Sequence, residues 1–324
     1  MKSSPSVLYI LTATVSAEAF WVMNMKNVLI TERVDPVSSP GAIAPHVHTV
    51  IGGSNFGPYA TSEDLRASKC TSGPIVEDKS NYWTPTLYFQ WTNRSFTSVE
   101  GTVSVKYLFN PGEAIPFPDD FRMLAGSPTS RSKNESDSTP DETFLCLNPL
   151  AQASRHSVLP ALQCPGGLRS QVTFPSCWDG KNLDSDSHKV HVAFAADGKC
   201  TDPAYPVNLP QIQVEAHWDT TEFYSLTKHA LNPEQPFVFS NGDATGCNFY
   251  AAFLNGWETK VLKQAIDKCT CGMYGDAKCC ADAGIFTIDT TSQCRITPHV
   301  EEQVQGTLGH LPGKAFDCFS PPDD

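Results

Sequence analysis

The chain lacks several things that would place it quickly. Beyond Phe20 it has no apolar run approaching the roughly 20 residues that a spanning helix requires, so no membrane span is expected. It lacks a basic surplus: 23 Lys and Arg stand against 35 Asp and Glu, for a net charge of -12. Nucleic acids and anionic membranes both need a basic footprint, so neither is expected as a partner. Helical periodicity is scarce. There is no Gly-x-Ser-x-Gly elbow, no His-Glu-x-x-His and no phosphate loop, which leaves no standard nucleophile, zinc-protease or nucleotide signature.

What the chain does have is turn formers and cysteines. Its 25 Pro and 21 Gly are spread throughout, and short strand signals recur between them. These signals lie at Thr86–Trp91, Thr102–Phe109, Lys189–Phe194 and Ile212–Trp218. In the last, Ile212, Val214, Ala216 and Trp218 make an apolar face, and Gln213, Glu215, His217 and Asp219 a polar one. The best candidate for a helix is Trp257–Lys268, with a start at Asn255-Gly256 and an end at Cys269. The expected fold class is mainly β: a loop-rich, disulfide-bonded β-sandwich or jelly-roll-like single domain with one or a few short helices.

The first residues, Met1-Lys2 followed by Val7–Val15 and the small residues Ser16-Ala17-Glu18-Ala19, read as a secretory signal over 1–19. An even count of 12 cysteines behind such a signal points to disulfides, and makes them the default over a metal at Cys269-x-Cys271 and Cys279-Cys280. With the cysteines paired, a thiol nucleophile is not expected. Asn93-Arg-Ser95 and Asn134-Glu-Ser136 are acceptor sequons for glycosylation. Ser127–Asp141 carries almost nothing apolar and reads as a mobile insertion into a domain spanning 20–324, whose part from about 269 to 318 is rich in cysteine.

Polar residues that can carry chemistry recur among the turns. Arg33, Asp35, His46 and His48 lie close together, and an extended chain places both imidazoles on one face. Asn81 and Trp83 belong to an aromatic-rich stretch suited to sugar rings or to plain core packing. Trp178, Asp179, Asn182, Asp184, His188 and His191 form a turn-rich constellation, and Asp243 sits in a glycine-punctuated loop. The expectation is one shared cleft: Asp35, Asp219, Asp243 and His48 catalytic; Arg33, His46, Asn81, Trp83, Trp178, Asp179, Asn182, Asp184, His188 and His191 binding substrate. No cofactor is expected. A metal site of His46 and His48 with His191 or His188 is the alternative.

These motifs together resemble a family of secreted fungal proteins that carry domain of unknown function 1996. The resemblance rests on Arg33-x-Asp35-Pro36, His46-Val-His48, Gly52–Phe56, Asn81–Pro85, Phe121–Gly126 and Phe174–Asp184. It extends to His188-x-x-His191-Val192-Ala193, Trp218-Asp219-Thr220, Ser240–Asp243 and Phe253-x-Asn255-Gly256-Trp257, so it runs from about Phe20 to Trp257. Members are often joined to WSC-type wall-sugar-binding domains, which implies a role on extracellular polysaccharide, as a glycoside hydrolase with paired carboxylates or as a non-catalytic glycan-binding or wall protein. The resemblance also implies a His and an Asp where this chain has Tyr250 and Ala252, and a Tyr where it has Cys247, which favours the non-catalytic reading and allows an added disulfide at Cys247. A monomer is expected.

Overall fold

The computed structural model describes residues 19–130, 142–161, 163–270 and 275–313. Residues 1–18 of the proposed signal segment, the body of the 127–141 insertion, the Asn134 sequon, Cys271 and Cys318 lie outside them, while Ala19 opens the first strand. Among the described residues no helix is long and apolar enough to cross a membrane.

The protein is mainly β. In chain order the strands are β1 (Ala19–Asn24), β2 (Ile30–Glu32), β3 (His48–Gly52), β4 (Asn81–Pro85), β5 (Leu87–Gln90) and β6 (Phe96–Ser98). Then come β7 (Gly101–Phe109), β8 (Arg122–Gly126), β9 (Glu142–Cys146), β10 (Ser154–His156), β11 (Leu168–Thr173) and β12 (Cys177–Trp178). The last are β13 (Val192–Ala193), β14 (Val207–Asn208), β15 (Gln211–Trp218), β16 (Phe237–Phe239), β17 (Tyr250–Leu254) and β18 (Thr307–Leu308). Helices are short: α1 (Ser62–Arg66), α2 (Thr259–Lys268), α3 (Lys278–Asp282) and a 3-10 segment, Thr221–His229.

Pairing is antiparallel throughout the four sheets. A six-stranded sheet runs β1-β7-β15-β11-β9-β10 and a five-stranded one β2-β3-β4-β17-β8; smaller sheets are β16-β5-β6-β18 and β13-β12-β14. The large sheets face each other as a sandwich. Trp21, Val105, Tyr107 and Val214 of one meet Ile51, Tyr82, Met123 and Phe253 of the other in the main core. The period-two pattern of the β15 sequence is realised, with Ile212, Val214, Ala216 and Trp218 all buried. Its opposite face is not plain solvent: Glu215 is 2% exposed and is held by Lys106 at 2.7 Å and Arg169 at 3.3 Å. Burial would raise its carboxyl, but hydrogen bonds from His217 and Lys106 and the charge of Arg169 outweigh that and hold it down at about 2.

β3, β4 and β17 are buried on both faces. Ile51, Tyr82 and Phe253 point into the main core, while Val50, Trp83, Ala252 and Leu254 point the other way into a second cluster with Phe56 and Leu65. Gly52-Gly53 ends β3 for a steric reason. Gly52 has φ +112, and a Cβ there would sit 1.8 Å from the Ser80 carbonyl oxygen.

Two expectations change. Lys189–Phe194 keeps only the two residues of β13 as strand. The segment before it instead crosses the open edge of β8, with His188 at φ 56 breaking the extended run. The helix begins at Thr259, after Glu258, because Trp257 is pulled into the core, where its indole N–H donates to Tyr107 Oη. Four disulfides are described: Cys70–Cys294, Cys146–Cys164, Cys177–Cys200 and Cys269–Cys280. The expected disulfide at Cys247 is not one of these; its sulfur lies 3.6 Å from Asp243 Oδ1.

A buried chain of hydrogen bonds crosses the main core. Trp257 donates to Tyr107 at 2.8 Å, Tyr107 meets Tyr82 at 2.6 Å, and Tyr82 donates to Asp78 Oδ2 at 3.1 Å. Burial raises the Asp78 carboxyl from 3.8 to about 6. The folded protein therefore holds this proton more tightly than the unfolded chain. That stabilisation is complete below pH 3.8 and is lost as pH rises through about 6, a difference of up to about 3 kcal/mol. Relative to the native protein, Asp78→Asn should gain stability as pH rises from about 4 to about 7, read by urea denaturation. A difference that does not vary with pH would refute the assignment.

Candidate functional site

The sheet register brings together residues far apart in sequence. His48 pairs with Pro85 on one side of β4. On its other side β17 pairs Ala252 with Trp83, and the same register carried two residues on sets Tyr250 opposite Pro85. His48 and Tyr250 thus flank Pro85 on the face that carries Val50, Trp83 and Ala252. The small pyrrolidine ring between them leaves their polar ends free to meet. Tyr250 Oη is 2.6 Å from His48 Nε2 and 3.1 Å from His46 Nε2. Asp35 Oδ2 lies 3.9 Å from His48 Nε2, and Oδ1 accepts the backbone N–H groups of Val37 and Ser38.

Proton placement in this cluster follows from donors and acceptors. His48 Nδ1 faces the Val34 carbonyl at 3.1 Å; a carbonyl only accepts, so Nδ1 carries the proton. The neutral ring then has a bare Nε2 facing the Tyr250 hydroxyl, which also has the Asp35 carboxylate as a hydrogen-bond partner. Tyr250 Oη in turn accepts His46 Nε2–H. His46 Nδ1 is buried, with no hydrogen-bond partner among the described residues. Burial drives both imidazoles towards the neutral form: His48 falls from 6.5 to about 3, and His46 is lowered well below 6.5 by burial and by His48, with Asp35 opposing. Burial, then the Asp35 charge, raises the Tyr250 phenol.

A second constellation is built on the edge of β8. Leu124 N–H donates to the His188 carbonyl and Arg122 N–H to the Leu183 carbonyl, so the 183–191 segment satisfies an otherwise open strand edge. His191 is 1% exposed, with Nε2 donating to the Arg122 carbonyl and Nδ1 accepting from Ser185 Oγ. Burial lowers it. His188 Nδ1 lies 2.7 Å from Asp184 Oδ1. Burial opposes ionisation of Asp184, but the bonds from His188 and Ser185 outweigh it and hold the carboxyl down. Asp179 caps its own turn through the N–H groups of Lys181 and Asn182 and the Asn182 amide, and the Trp178 indole donates to the Asn182 carbonyl.

The hydrogen bonds of these two constellations share no residue. The alternative metal set of His46, His48 and His191 is not assembled: both nitrogens of His191 are engaged on the β8 edge, and among the described residues no group of three or more His, Cys, Asp or Glu is placed to hold a metal. Arg33 does not join the histidines either. It makes a two-pronged contact with Glu302 at 2.7 and 3.2 Å and helps anchor the C-terminal segment, as Glu32 does by accepting from His299. Asn81 is fully buried and clamps the Ile51 and Gly53 carbonyls; Trp83 is 1% exposed within the second apolar cluster. Asp243 is fully buried and accepts from Thr245 and the Asn248 N–H within its own loop.

Of the expected carboxylates, Asp219 is the exposed one, and it opens onto a groove. A hollow of 650 Å³ shares Glu100, Gly101 and Trp218 with one of 440 Å³ that holds Asp219. At its other end it shares Val28, Thr31, Arg295 and Gln305 with one of 360 Å³. The three hollows adjoin through these shared residues and together are called the trough, from Asp219 to the C-terminal segment. Sequence reasoning missed most of its lining, because Thr31, Thr97 and Gln305 carry no motif and come from distant strands and loops. It also read Tyr250 as a departure and missed it as the hub of both histidines. The alternation of β3 and β17 was the available signal.

A family profile described as Domain of unknown function (DUF1996) matches residues 35–257. No curated protein and no solved structure matches the chain.

The Tyr250 cluster makes a stability prediction. Tyr250→Phe strands the Nε2 atoms of two buried imidazoles, at a cost of about 1–3 kcal/mol for each group left unsatisfied, measured as a lower denaturant midpoint at neutral pH. His48 is bound neutral in the fold, so its contribution is complete above 6.5 and is lost as pH falls from there towards about 3. His48→Gln should remove about one proton's worth of that slope; an unchanged slope would mean that His48 does not titrate in this way.

Proposed function

Because the chain belongs to the DUF1996 family, whose description assigns no activity, we propose its function from its own groove: it is a secreted protein that binds an extracellular polysaccharide without cleaving it. The observation that carries this reading is the trough itself. It is open to solvent, made of three adjoining hollows, and lined by hydroxyl, carboxamide and backbone groups above the buried Trp218 and Phe223. Such a lining offers both donors and acceptors to sugar hydroxyls. The domain is proposed to be a single unit, monomeric and exported. The four disulfides support export, and Asn93 lies exposed in a turn where a sequon can be glycosylated.

Support for binding over hydrolysis comes from where the carboxylates are spent. Asp35 and Asp243 are buried and committed to backbone N–H groups, so neither is offered to a glycosidic bond. The family resemblance also puts a His and an Asp where this chain has Tyr250 and Ala252, and Tyr250 occupies both imidazoles. A hydrolytic reading has one observation in its favour: Asp219, Glu100 and Glu222 line the trough, and two carboxyl groups about 5–9.5 Å apart across a sugar chain would suffice for glycoside hydrolysis.

Incubation with a panel of insoluble fungal and plant wall polysaccharides separates these readings. Co-sedimentation with no soluble sugar released is expected. Soluble oligosaccharide products lost in Asp219→Asn would establish the hydrolase, and neither binding nor products with any polymer would overturn a role on polysaccharide.

A further inference from the structure

The charges along the trough carry the reading one step further, to the class of glycan. Hydroxyl and amide groups line much of its middle. Thr49 and Thr86 join through their hydroxyls at 2.9 Å at the base, Thr97 pairs with Thr307 at 2.9 Å, and the Gln305 amide reaches Thr31 Oγ1 at 3.4 Å. Two of the charges at its margins are already neutralised within the protein: Lys26 lies 3.5 Å from Asp289, and Glu302 is clamped by Arg33. Among the described residues that line the hollows, that leaves the exposed carboxylates of Glu100, Asp219 and Glu222 against the exposed guanidinium of Arg295. A polyuronate or sulfated chain laid along this trough would bring its charges beside three like charges.

Gly101 adds a shape constraint. It pairs with Trp218 across β7 and β15 and lines both of the larger hollows. A Cβ at Gly101 would lie 2.7 Å from the His217 carbonyl oxygen and 2.9 Å from Trp218 Cε3, so the close approach of β7 to β15 here requires glycine.

Resting on the glycan-binding reading above, we infer that the trough takes an uncharged polysaccharide of hexose or N-acetylhexosamine units, held by hydroxyl and amide hydrogen bonds, and that its rim excludes polyanionic chains. Thr31 and Gln305, shared by two hollows, are assigned as binding residues.

The test uses the full chain with β-glucan, mannan and chitin as neutral probes, polygalacturonate as the polyanion and chitosan as the polycation. Retention on a neutral polymer is expected. It should change less than about two-fold between about 50 and 500 mM salt, over which the screening length falls roughly three-fold. Thr31→Val and the exposed Gln305→Ala should each weaken it by about five-fold, the effect of one hydrogen bond, with an unchanged denaturation midpoint for Gln305→Ala. Retention on polygalacturonate or chitosan alone, lost as salt rises, would overturn the assignment of class while leaving polysaccharide binding intact. Undiminished binding by both variants would overturn the assignment of the site. No retention on any of the five polymers would overturn this inference and the reading it rests on together.

Discussion

The fold depends on how polar atoms are satisfied inside a core made mostly of aromatic rings. The hydrogen-bond chain from Trp257 through Tyr107 and Tyr82 to Asp78 is the clearest case. An indole N–H can only donate, so its direction is set at one end, and each hydroxyl passes a proton on until the carboxyl receives the last. Tyr107 comes from the six-stranded sheet and Tyr82 from the five-stranded one, so the chain locks the two layers of the sandwich at one relative position. Trp21 stacks on Tyr107 with ring centroids 5.3 Å apart, and Phe117 and Phe253 extend the same aromatic layer. Apolar burial supplies most of the stabilisation here, and the polar chain narrows the ways in which those rings can pack.

The same constraint explains the histidines. His46 and His48 meet Tyr250 where the five-stranded sheet is covered on both faces, and burial keeps both rings neutral. His191 is neutral for the same reason but has a different task, closing the edge of β8 through the Arg122 carbonyl. Four residues that look alike in sequence as members of one ionisable set, His46, His48, His188 and His191, therefore serve two structural devices. The open trough lies elsewhere and is built from threonines, a glutamine and loop carboxylates.

Much of the fold was legible in the chain. The alternation over Ile212–Trp218 is a buried strand face, the spacing over Thr259–Lys268 is a helix, and the export-like cysteine pattern yields four disulfides. The Lys189–Phe194 strand was misread because its alternation is real, but His188 turns into the left-handed region and gives its carbonyl to a neighbouring strand. The site was far less legible. Asp35, His46 and His48 do come together, as their closeness in sequence implies. Asp243, Asn81 and Trp83 have the residue types of a sugar site, yet they are buried and engaged in holding loops and strands.

Local chemistry is what the sequence by itself determined. Period-two alternation sets which side of a strand is apolar, proline and glycine set where strands stop, and the cysteine number sets the redox character; each acts within a few residues. The tertiary structure alone decided which polar groups meet. Tyr250 reaches His48 across 202 positions, and Gln305 reaches Thr31 across 274. Those meetings depend on strand order and register, in which a shift of one residue would turn Tyr250 to the opposite face of its sheet. The order β2-β3-β4-β17-β8 draws on strands from both ends of the chain, and no local pattern encodes it.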